Sequence, residues 1–119
     1  MTLFRTISLP VHAGVETLAG PAIMAAPFVL GFGEAATVVS VLVGVLLLTL
    51  ALQLPGPRRS ISLSSHASFD YALATFAIVA GIALGFATDS WAPTAFLVGI
   101  GAAQVALTAS TRFSAQHGI

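Results

Sequence analysis

Four stretches of this chain are each long and apolar enough to cross a lipid bilayer, and that limits its architecture more than any other feature. They run from about Val11 to Phe32, Ala35 to Leu54, Ala67 to Phe86 and Trp91 to Ser110. A spanning helix needs roughly 20 mostly apolar residues. The charge count agrees with this reading. Only Arg5, Glu16, Glu34, Arg58, Arg59, Asp70, Asp89 and Arg112 are charged, 7% of 119 residues, and the mean hydropathy is +1.02. Soluble domains carry about 25% charged residues, so so few charges point to lipid as the solvent. The expected fold class is all-α, an integral membrane four-helix bundle.

Strands do not fit. A membrane barrel needs segments of about 10 residues that alternate in polarity, and the Val38–Leu48 run shows no alternation. Helices satisfy their own backbone groups in lipid. The connections are legible. Gly31-Phe32-Gly33-Glu34 and Thr88-Asp89-Ser90 are short turns, and Pro55-Gly56-Pro57 opens the one longer loop. Pro93 suits an early helix position, beside Trp91 at the interface. The first span is read as a retained helix, not a cleaved signal: its apolar run is longer than a signal core and contains Glu16, Pro21 and Pro27.

Charge also sets an orientation. The four arginines lie before the first span, between the second and third, and after the fourth; the other two loops hold Glu34 and Asp89. Basic loops stay inside. Both termini are therefore expected in the cytoplasm of a cell with this chain in its inner membrane.

The chain is self-similar. At an offset of 54, Arg5-Thr6-Ile7-Ser8-Leu9 meets Arg59-Ser60-Ile61-Ser62-Leu63, His12-Ala13 meets His66-Ala67, and Glu16 meets Asp70. At an offset of 55, Leu42-Val43-Gly44 meets Leu97-Val98-Gly99. The polar matches carry weight because such residues are rare here. Two tandem two-helix units follow, residues 1–58 and 59–119. Each has an even number of spans, so a pseudo-two-fold along the membrane normal should relate them.

This unit, with its His, an acid four residues on, and Ala26-Pro27-Phe28-Val29-Leu30-Gly31-Phe32, resembles the SPW-repeat membrane proteins of bacteria. Thr111-Arg112 is similar to that family's closing Thr-Arg. Ser-Pro-Trp itself is absent from both copies. The resemblance implies a small integral membrane protein with no defined reaction, and it carries no catalytic residue across.

His12 with Glu16, and His66 with Asp70, form the candidate polar site. An i, i+4 spacing puts each pair on one helix face, near the entrance of its unit. Imidazole and carboxylate together suit divalent metals or proton handling. The plainer reading, preferred on spacing alone, is local pairing of each acid with its own His, or with Arg5 or Arg59. No third ligand follows in sequence, so no resident metal or cofactor is expected. Pro21 and Pro27 are candidate helix kinks. Gly81 and Gly85 form a GxxxG pattern for close helix packing, within the bundle or across a homodimer. Gly44, Gly99 and Gly101 read the same way. Gln104 should bond to a neighbouring helix.

The absence of cysteine excludes thiolate chemistry, and with no basic patch nucleic acid is not an expected partner. Expected partners are membrane lipid, a second copy or another membrane protein. The functional expectation is a non-enzymatic scaffold or interaction module. One alternative is a small-molecule or ion transporter using the entrance acids, since the chain resembles the small multidrug-resistance exporters in size. Another is a metal-binding membrane protein.

Overall fold

The structure, a computed structural model, describes residues 6–53 and 63–112. These form four helices: α1 (Leu9–Leu30), α2 (Glu34–Ala51), α3 (Leu63–Thr88) and α4 (Ala92–Ala109). All four are long and apolar enough to cross a membrane. α3 begins four residues before the expected span, because Leu63, Ser64 and Ser65 join the helix that carries His66. The boundary between the two sequence units lies outside the described residues.

Local chemistry explains the ends. Ser8 caps α1, its side chain accepting from the Val11 N–H, and Pro10 occupies the first turn. There its missing N–H costs no helical bond. Gly31 ends the helix at φ +73°, a left-handed conformation that glycine adopts without strain. Glu34 lies in the first turn of α2, where the helix dipole favours an acid. Asp89 (φ +56°) turns the chain out of α3, and Pro93 opens α4. α1 runs unbroken through Pro21 and Pro27, and the Pro27 carbonyl accepts the Gly31 and Phe32 N–H groups that close its last turn.

α1 packs along α2, and α3 along α4; contact between the two hairpins, chiefly α2 with α3, is sparser. Glycine makes each hairpin tight. A Cβ placed on Gly44 would sit 2.6 Å from the Gly20 carbonyl oxygen, and one on Gly101 2.8 Å from that of Ala74. Gly81 and Gly85 are used inside the chain. Gly81 lies against Leu97 and Gly85 under the Trp91 ring, and the Thr94 hydroxyl donates to the Gly81 carbonyl at 2.6 Å.

Buried positions recur between the hairpins. His12, Glu16, Gly20, Ile23 and Pro27 of α1 are matched 54 residues on by His66, Asp70, Ala74, Ala77 and Gly81 of α3, all buried. The buried Ala36, Ser40, Gly44, Leu47 and Ala51 of α2 are matched in α4 by Pro93, Leu97, Gly101, Gln104 and Thr108, now 57 residues on. The sequence match at 55 had paired Gly44 with Gly99. Gly99 has nothing within 4 Å of where its Cβ would be. α3 carries an extra turn before the chain reverses, and this moves the packing register by two residues.

Candidate functional site

Spacing along two helices sets up the site. His12 and Glu16 are one turn apart on the inner face of α1, and His66 and Asp70 occupy the same positions on α3. The two faces meet at the end of the bundle where both helices begin. All four residues are fully buried.

Each imidazole touches the carboxylates of both hairpins. His12 Nε2 lies 2.9 Å from Glu16 Oε2 and 3.0 Å from Asp70 Oδ2. His66 Nε2 lies 3.1 Å from Asp70 Oδ2 and 3.5 Å from Glu16 Oε1. The rings meet edge to face, with centroids 5.8 Å apart. Local pairing, the reading preferred from spacing, is thus half of the arrangement; the other half crosses between helices. Arg5 and Arg59, the other suggested partners, lie outside the described residues.

α4 closes the cluster. Gln104 donates from Nε2 to Glu16 Oε2 at 2.7 Å. Thr108 is buried one turn further along, and Thr111 follows. Thr111 determines the His12 tautomer. Its single hydroxyl hydrogen goes to the Leu107 carbonyl at 2.6 Å, so across the 2.8 Å contact His12 Nδ1–H donates to Thr111 Oγ1. His12 Nε2 then presents either a lone pair or a second proton to the two acids. Thr111 is itself held by the chain ends: Ile7 N–H donates to Ser110 O at 3.0 Å and Arg112 N–H to Ile7 O at 2.9 Å.

The lining is one-sided. Gln104 and Thr108 occupy the places held in α2 by Leu47 and Ala51, both apolar. Glu16 therefore has an amide partner, whereas Asp70 Oδ1 is buried without a hydrogen bond, as is Glu16 Oε1. Two ionised carboxylates in this apolar setting require two compensating positive charges. Two protonated imidazoles supply them, or one divalent cation does.

Comparison with family models, with curated proteins and with solved structures finds no match to this chain.

Proposed function

We propose that this chain is a non-enzymatic module of the bacterial inner membrane, in which two tandem two-helix repeats are locked together at their cytoplasmic end. The resemblance of each unit to the SPW-repeat membrane proteins supports this reading. The observation that carries this reading is the convergence of His12, Glu16, His66 and Asp70, one pair per repeat, in a cluster with no exposed side-chain surface. A catalyst must admit its substrate, and a transport acid must reach water on each side in turn; a closed cluster serves holding or binding. The 54-residue recurrence of the buried α1 face in α3 supports a parallel pseudo-two-fold between the repeats.

Reconstituted proteoliposomes test the reading. Under an imposed pH or cation gradient they should show no flux above protein-free vesicles. Gradient-driven uptake abolished by Glu16→Gln would replace the module with a transporter.

Orientation gives a second expected result. The chain has no cysteine, so single cysteines report position directly. Cysteine at Glu34 or Asp89 should react with a membrane-impermeant maleimide in intact cells. Cysteine at Thr6 or Arg112 should react only after lysis. The reverse pattern would invert the topology.

A further inference from the structure

The geometry points to a binding site for one divalent first-row transition-metal ion, held by His12 Nε2, His66 Nε2 and one carboxylate oxygen each from Glu16 and Asp70. This rests on the reading of the cluster as a closed centre, and names what that centre holds.

Donor type comes first. Two imidazoles and two carboxylates are a ligand set that zinc and its first-row neighbours accept. Placement follows. One ligand atom from each residue lies within 4.8 Å of all the others. Asp70 Oδ2 lies 3.0 and 3.1 Å from the two Nε2 atoms, while Glu16 faces them with different oxygens, Oε2 at 2.9 Å from His12 and Oε1 at 3.5 Å from His66. Four ligands about 2.0–2.1 Å from a tetrahedral ion stand about 3.3 Å from one another. Taking one up draws the set together, the widest separation of up to 4.8 Å closing by up to about 1.5 Å through side-chain rotation.

The surroundings fit as well. A ligating histidine usually donates its other N–H to an oxygen, which fixes the ring. His12 Nδ1 does this with Thr111. Gln104 occupies Glu16 Oε2, while Glu16 Oε1 is turned toward His66 Nε2 with no hydrogen bond of its own. Together with Asp70 Oδ1 it leaves lone pairs that burial makes costly and a cation would satisfy. Charge closes the case. Two neutral imidazoles, two carboxylates and one divalent ion sum to zero, the condition a site among apolar helices favours.

The test uses the full chain in detergent, purified through a tag without histidine. Elemental analysis should find about one equivalent of a first-row metal per chain. After chelation, titrated Co(II) should restore one equivalent and give the visible bands of a four-coordinate site. Glu16→Gln/Asp70→Asn should abolish stoichiometric binding with helicity retained. His117→Ala, which removes the one histidine that is not a proposed ligand, should leave it intact. Thr111→Val should weaken the metal about 10–100-fold, with Thr111→Ser restoring it. If the double variant fails to fold, zinc-edge X-ray absorption of the wild-type protein decides, with two imidazoles expected at the ion. A folded wild type that takes up neither its own metal nor Co(II) would overturn the site, as would unchanged binding in the folded double variant or the absence of imidazole at the ion. The first of these leaves the closed lock standing as two imidazolium–carboxylate pairs. Flux in proteoliposomes would overturn the lock instead.

Discussion

Replacing His12 with alanine is expected to destabilise the protein by about 3–5 kcal/mol, the usual consequence of removing one partner from a buried ionic cluster. His12 reaches Glu16, Asp70 and Thr111, and so ties α1, α3 and the end of α4. In the alanine variant the carboxylates of Glu16 and Asp70 stay buried with His66 as their shared base. Unfolding in mixed micelles, followed by helicity against denaturing detergent, measures the loss. A change under about 1 kcal/mol would show that the cluster does not hold the hairpins together, since exposed ion pairs contribute no more than that.

The companion experiment removes the whole network. In His12→Leu/Glu16→Met/His66→Leu/Asp70→Val/Gln104→Met no charge or amide is stranded. Buried ionic networks exchanged for apolar residues of similar size are often neutral in stability. Measured against chelator-treated wild type, this variant is expected to fall within about 1–2 kcal/mol, well short of the single substitution. The contrast separates the cost of an abandoned charge from the worth of the intact cluster. It also indicates why such a cluster would be kept: five apolar residues would join the repeats about as well, and they would bind nothing.

How much of this was legible in the residues differs by element. The four helices, each long and apolar enough to cross a membrane, follow from apolar length, since lipid would leave a backbone few other choices. The pairs His12–Glu16 and His66–Asp70 follow from a spacing of four, repeated at matching positions in the two units. Which partners they take did not follow. Spacing within one helix favours the local acid, whereas the crossed contact of His12 with Asp70 depends on how α1 and α3 approach. Glu16's other partner, Gln104, was visible as a lone polar residue that needed a neighbour. Thr108 and Thr111 carried no such signal, because threonine in a membrane helix commonly bonds back to its own carbonyls, as Thr49 does to Val45. A signal was nonetheless present. Gln104, Thr108 and Thr111 recur at four and three residues, a polar stripe that begins on α4 and continues just past its end at Ala109.

The glycines show where sequence similarity and packing part company, and they give the second large effect. Gly44→Leu and Gly101→Leu are each expected to cost about 3 kcal/mol, the upper end of what overpacking usually costs. At both positions the new Cβ meets backbone. It would lie 2.6 Å from the Gly20 oxygen at Gly44 and 2.8 Å from the Ala74 oxygen at Gly101, and a carbonyl on a packed helix cannot swing aside as a side chain can. In the proposed membrane setting no gain from burying the added leucine would offset this, because acyl chains are as apolar as the core; close packing is what holds such helices together. Gly99→Leu is the control. A Cβ there meets nothing within 4 Å, so its effect should stay within about 0.5 kcal/mol. By alignment Gly99 is the partner of Gly44, and by burial that partner is Gly101. Denaturing-detergent unfolding of the three variants decides between them. A loss at Gly99→Leu with little effect at Gly101→Leu would mean that the second hairpin packs in the register of its sequence match, two residues from the one described. That would move Gln104 and Thr108 off the inner face of α4 and open the cluster they now cover.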